Sequence, residues 1–137
     1  MWNNMFKSVN LLSQGLSASW TRNAVIRNNI ANVETPGFQA SDVEFESLLA
    51  RSLQNSGFRG AITHEGHREI GSGVRNLSPI DPQIVRRTGT SMRLDGNNVD
   101  IEAENVKLAQ NSIQYNVLLE KMNSELRRLR MAITEGR

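Results

Sequence analysis

Two histidines are the first residues in this chain that could do chemistry, and their spacing argues against it. They sit in His64-Glu65-Gly66-His67. A zinc protease places its two histidines four apart on one helical face, with a glutamate between them as general base. Here they are three apart, Arg68 stands at the fourth position, and Gly66 weakens any helix that would align them. A solvated loop is the expectation. A second candidate, Asp95-Gly96-Asn97-Asn98-Val99-Asp100, has the oxygen-rich look of a calcium loop. Such a loop requires an oxygen ligand at its fifth position and glycine at its sixth, and those positions hold Val99 and Asp100. A turn leading into a helix N-cap accounts for the segment better. The lack of cysteine removes disulfides, thiolate metal sites and cysteine nucleophiles together. No phosphate-cradling glycine loop and no nucleophile elbow occurs, and the scattered Ser, His and Asp residues have no triad-like spacing. The sequence therefore points away from an enzyme, with no catalytic residue, metal or cofactor expected.

Charge narrows the choice further. Sixteen basic and fourteen acidic residues leave a formal net charge of +2, too even for a nucleic-acid footprint, which concentrates Lys and Arg on one face. Only Arg127-Arg128-Leu129-Arg130 is locally basic. No apolar run approaches the roughly twenty residues of a membrane span, and Met1 to Ser8 lacks the continuous apolar stretch of a cleaved signal. With 137 residues, 38% hydrophobic and 5% aromatic, one modest domain is the limit, and its apolar material is thin for a self-sufficient core. Part of the burial is expected to come from partners.

The elements that would do the packing lie at the two ends. To about Val33 the chain reads as one amphipathic helix. Val9, Leu12, Leu16, Ser19, Asn23, Ile26, Ile30 and Val33 recur in alternating steps of three and four, the spacing of a heptad seam. Met5, Trp20 and Ala24 widen that stripe, and Gly15 inside it costs roughly 1 kcal/mol against alanine. Pro36 disfavours helical geometry at Thr35, and Gly37 permits a tight turn. Ser41-Asp42-Val43-Glu44 then has the form of a capping box opening a short helix, with Phe45, Leu48, Leu49 and Leu53 as its apolar face and Gly57 as its stop.

From Gly57 to about Asn98, glycines and prolines punctuate a stretch poor in apolar residues. It reads as an exposed glycine-rich loop or small β excursion, with Pro82-Gln83-Ile84-Val85 able to form a brief strand. The last part is the strongest helix. Asp100, Glu102 and Glu104 open it and Arg127, Arg128 and Arg130 close it, an order that suits the helix dipole. One stripe runs through Ile101, Asn105, Leu108, Ser112, Tyr115, Leu119, Met122, Leu126, Leu129 and Ile133; Val106, Ala109, Ile113 and Val117 lie nearly opposite. A helix apolar on two faces needs neighbours on both sides. From Ile101 to Ile133 it extends roughly 50 Å.

The fold expected is mainly α: long N- and C-terminal helices pack as a coiled-coil-like helical domain, antiparallel or in a bundle. Residues 1–35 and 99–137 make the helical part, 36–57 a turn plus a short helix, and 58–98 the flexible or small-β middle. The polar interruptions Ser19, Asn23, Asn105 and Ser112 either fix the register of the helices or face solvent.

A resemblance completes this reading. Asn28-Asn29-Ile30-Ala31-Asn32-Val33-Glu34-Thr35-Pro36-Gly37-Phe38 closely resembles the signature shared by flagellar rod and hook axial proteins, placed where their N-terminal helix gives way to a turn. Met92 to Glu102, followed by Ala109-Gln110-Asn111-Ser112-Ile113-Gln114-Tyr115 and the short length, resembles the proximal rod members of that family. Both ends of the chain carry the likeness, and the glycine-rich middle carries little. It implies a structural subunit exported unfolded and without signal cleavage through the flagellar type III apparatus. Such a subunit assembles with its own copies and with neighbouring rod and rod-base proteins into a hollow shaft in the cell envelope. The charge balance and the lack of a long apolar run leave no nucleic-acid partner and no direct membrane insertion expected. The residues expected to pack between subunits are Val9, Leu12, Leu16, Trp20, Ile26, Ile30 and Val33 on the first helix. On the last they are Ile101, Leu108, Tyr115, Leu119, Met122, Leu126 and Leu129, with Val106, Ile113 and Val117 on its second face. The motif turn adds Asn29, Asn32, Thr35, Pro36 and Gly37, with Asn29 and Asn32 expected at subunit contacts. The alternatives are a sister rod subunit, or a helical adaptor that grips one partner helix with the same stripes.

Overall fold

A computed structural model of the chain describes residues 6–55, 79–89 and 93–134. Helix α1 covers Lys7–Ala31, strand β1 Ser41–Glu44, helix α2 Glu46–Asn55, strand β2 Gln83–Arg86 and helix α3 Ile101–Thr134. The chain is mainly helical, with the two long end helices packed together and a two-stranded sheet between them. His64, His67 and the Gly57 stop lie outside the described residues.

The end helices are antiparallel, as their cross-contacts show. Gly15 lies against Leu118, the Ser19 carbonyl accepts a hydrogen bond from Asn111, and the Asn29 side chain meets Glu104. As one helix advances, its partner's numbers fall. Among the described residues the apolar core is small: Ala18, Val25 and Ile26 from α1, with Ala40, Val43, Phe45 and Val99. The buried polar residues Ser19, Asn29, Asn97, Asn98, Glu104 and Asn111 nearly equal it in number, so hydrogen bonding as well as burial sets the register.

That polar share corrects the expected stripe on α3. One row of half-buried and buried positions runs Glu104, Leu108, Asn111, Tyr115, Leu118, Met122, Glu125 and Leu129, with Ala103, Lys107 and Ser124 half-buried beside it. Leu108, Tyr115, Met122 and Leu129 belong to both stripes. Ile101, Leu119, Leu126 and Ile133 instead lie exposed on the flank, as do Asn105 and Ser112. The row facing α1 is filled by Glu104 and Asn111, which find hydrogen-bond partners there, where a count of apolar residues cannot see it.

The Ser41–Glu44 segment is a strand and not a capping box. It pairs antiparallel with β2, Ser41 opposite Arg86 and Glu44 opposite Gln83. Its outer edge is closed by α1: Asn29 Nδ2 donates to the Ser41 carbonyl at 2.8 Å and Asn29 Oδ1 accepts from the Ser41 N–H at 3.0 Å. Those bonds hold Ser41 extended, and the helix starts at Glu46. Helix α3 opens on a true cap, with Asp100 Oδ1 accepting from the Glu102 and Ala103 N–H groups at 3.0 and 3.2 Å.

Gly15 offers a direct test of the helix contact. A Cβ built there would stand 3.4 Å from Leu118 Cδ1, an ordinary contact, so helix propensity decides the outcome. Gly15→Ala is expected to stabilise the fold by about 0.5–1 kcal/mol, read as a rise in the urea midpoint with unchanged slope.

Candidate functional site

The signature segment forms the end of α1 and the turn after it. Asn32 caps the helix, its N–H reaching the carbonyls of Asn28 and Asn29 at 3.2 and 3.1 Å. The Thr35 N–H returns to the Asn32 carbonyl at 3.0 Å, and Gly37 takes a positive φ of 70°. Against this turn lies a second one, Arg93–Gly96, whose Gly96 has φ 81°. The Gly37 N–H donates to the Asp95 carbonyl at 2.9 Å, and a Cβ on Gly96 would sit 3.6 Å from Gly37 Cα. Two glycines allow the two turns to touch.

Asn97 fastens them. Its Nδ2 lies 3.0, 3.0 and 2.9 Å from the carbonyls of Asn32, Val33 and Thr35, while its Oδ1 accepts from the Val99 N–H at 2.8 Å. Asn98 does the same one step further. Its Oδ1 accepts from the Ala40 N–H at 2.6 Å, and its Nδ2 donates to Gln39 Oε1 and the Arg87 carbonyl at 3.0 and 2.8 Å. Both asparagines are buried. The signature is therefore largely an internal clasp between the two ends of the chain.

A charged cluster adjoins the clasp. Glu104, fully buried, accepts from Asn29 Nδ2 at 2.9 Å through Oε2, and through Oε1 from Arg87 Nη2 at 2.9 Å and Lys107 Nζ at 3.2 Å. Asp42 shares both cations. The hydrogen bonds from Arg87 hold the Asp42 carboxyl below its usual range against the opposing effect of burial, with Lys107 adding to the shift. Arg87 is correspondingly raised, chiefly by Asp42. Burial pushes Glu46 up, but Arg22, at 2.7 Å from each of its oxygens, and nearby backbone N–H groups bring it down on balance. A carboxyl with a depressed folded pKa stabilises the fold above its unfolded value and loses that contribution as pH falls through the folded one. Stability is thus expected to fall below about pH 4, and Asp42→Asn to shrink that acid-dependent part in a pH series of thermal melts.

The expected packing residues separate into three groups. Ile26 is buried and Val9, Leu12, Leu16, Ile30 and Val33 half-buried in the protein itself. Asn29, expected at a subunit contact, is 1% exposed; its amide is used by Ser41 and Glu104 and is not available to a neighbour. Asn32 is half-buried, and Thr35, Pro36 and Gly37 are exposed. Trp20 is 72% exposed, and Val106, Ile113 and Val117 are 57%, 66% and 59% exposed on the side of α3 turned away from α1. Among the described residues no group of three metal-capable side chains forms, and no helix is long and apolar enough to cross a membrane. The sequence reading missed Asn97, Asn98, Glu104 and Asn111 as determinants. Adjacent asparagines just before a helix cap were the one visible signal.

Known proteins resemble this chain over most of its length. Residues 10–39, the end of α1 and the clasped turn included, match the family model of the flagella basal body rod protein. The FlgB flagellar basal body rod protein of Bacillus subtilis is 36% identical over 92% of this chain and 92% of its own length. Its counterpart from Aeromonas hydrophila is 34% identical, over 93% and 92%. That of Escherichia coli is 30% identical, over 90% of each. The likeness runs through both helices and the clasp between them, and the chain belongs to the FlgB family of flagellar basal body rod proteins.

Proposed function

We propose that this protein is a structural rod subunit that works by helix packing, exported unfolded through the flagellar type III apparatus and built into a hollow, torque-transmitting shaft. It contacts its own copies and neighbouring rod and rod-base proteins. The observation that carries this reading is the second apolar face of α3. Val106, Ile113 and Val117 lie exposed within a helix whose other side is already occupied by α1. Apolar side chains at steps of seven and four on one helical face favour burial against a further helix. Trp20, on the outside of α1, is a second such site.

Circular dichroism and electron microscopy of one sample at rising concentration test the reading. Helix content is expected to rise as assemblies appear, alone or on addition of other rod proteins. A stable monomer that never associates with itself or with other rod proteins overturns it.

A further inference from the structure

The two exposed apolar sites carry matching patterns. On α1, Trp20, Ala24 and Arg27 are exposed at spacing i, i+4, i+7. Trp20 borders a groove of about 510 Å³ that Asn111, Ser112 and Tyr115 of α3 also line. Asn111 Oδ1 is buried there with no hydrogen-bond donor. On the far side of α3, Glu102, Val106, Ala109, Gln110 and Ile113 are exposed. Val106, Ala109, Gln110 and Ile113 stand at i, i+3, i+4 and i+7, the outline of a hole that accepts a knob from a facing helix. Ala109 leaves that hole open. Seven residues separate Trp20 from Arg27, and seven separate Ala109 from Glu102, about 10.5 Å along either helix. Arg27 and Glu102 have no ion-pair partner among the described residues.

We propose that Trp20 of one copy inserts between Val106, Ala109, Gln110 and Ile113 of the next copy, with Arg27 facing Glu102. This rests on the assembly reading above and names the surfaces that meet. Copies related by rotation and rise about an axis along the helices keep one sense. The α1 of one copy then runs antiparallel to the α3 of the next, as within a copy. In that sense the seven-residue spacings coincide: with Trp20 over Ala109, Arg27 comes level with Glu102 and Ala24 lies beside Val106. A large aromatic fits a hole with an alanine floor, and a cation meets an anion at its rim. The contact joins different patches on the two copies, so it propagates and does not close into a pair.

The chain has no cysteine, so introduced ones report alone. Ala24→Cys and Val106→Cys are placed together in the only copy a cell makes, and isolated basal bodies are oxidised. A ladder of dimers, trimers and longer species is expected. Either single variant is expected to give monomer, and the two single variants coexpressed are expected to give dimers only. In parallel, Arg27→Glu or Glu102→Arg is expected to lower incorporation into basal bodies roughly tenfold, and the double reversal to restore most of it. Rods that contain the protein but show no ladder overturn this interface alone, as does a single variant that cross-links to itself. Absence of the unsubstituted protein from basal bodies overturns the assembly reading beneath it.

Discussion

Replacing Asn97 by alanine is expected to destabilise the protein by about 2–4 kcal/mol, lowering the thermal midpoint by roughly 10 °C for a domain of this size. The side chain is fully buried, and its one amide nitrogen serves the carbonyls of Asn32, Val33 and Thr35. These carbonyls keep weaker alternatives. Asn32 O also accepts from the Thr35 N–H, and Val33 O from Arg93. That is why the cost stays below the full sum of three orphaned acceptors. The Val99 N–H, however, loses Oδ1 outright. Asn97→Asp separates hydrogen bonding from size. It keeps the acceptor for Val99 but turns an oxygen toward three carbonyl oxygens, so it is expected to cost more than alanine despite its matching shape. An Asn97→Asp protein that melts like the unsubstituted one at neutral pH sinks the clasp as described.

The second large effect is expected at Glu104. Glu104→Ala leaves Arg87 and Lys107 with Asp42 as their only acidic partner in the cluster and removes one acceptor from the Asn29 amide. Breaking a buried ion pair from one side costs about 3–5 kcal/mol. The lower end is expected here, because Asp42 retains both cations. Glu104→Gln keeps the volume but must turn an NH₂ toward either Asn29 or Arg87, both of which are donors, so its cost falls between alanine and the native residue. A double-mutant cycle with Arg87→Met isolates the pair. Urea unfolding of the four proteins should give a coupling of at least about 1 kcal/mol, and additivity would show that Glu104 acts through packing.

These two residues also mark where the sequence was legible and where it was not. Local chemistry fixed the limits of the two end helices to within two residues where they could be compared. The first helix stops at Ala31 under an Asn32 cap against an expected Val33, Asp100 caps the last helix, and that helix runs to Thr134 against an expected Ile133. The short strand at Gln83–Arg86 was visible in Gln83-Ile84-Val85. What failed depends on partners far along the chain. Ser41-Asp42-Val43-Glu44 fits a capping box as well as a strand, and the choice was made by Asn29 on one side and β2 on the other. The stripe on α3 was misplaced along one row because periodicity registers apolar residues, whereas Glu104 and Asn111 are drawn inward by hydrogen bonds. Asn97 reads locally as part of a turn, and its partners lie more than sixty positions earlier. No short window contains that information.

The clasp carries a further consequence, in time and not in space. Several partners of α1 and of the turn after it arrive late in the chain: Asn97 for the turn carbonyls, Glu104 for Asn29, Asn111 for Ser19 and Leu118 beside Gly15. A chain delivered through a narrow conduit with its amino end first would have about seventy percent of its length outside before the first of these partners appeared. Until then α1 has its own local cap at Asn32 but no antiparallel helix to lie against. The same long-range bonds that define the finished molecule are thus complete only once most of the polypeptide is present.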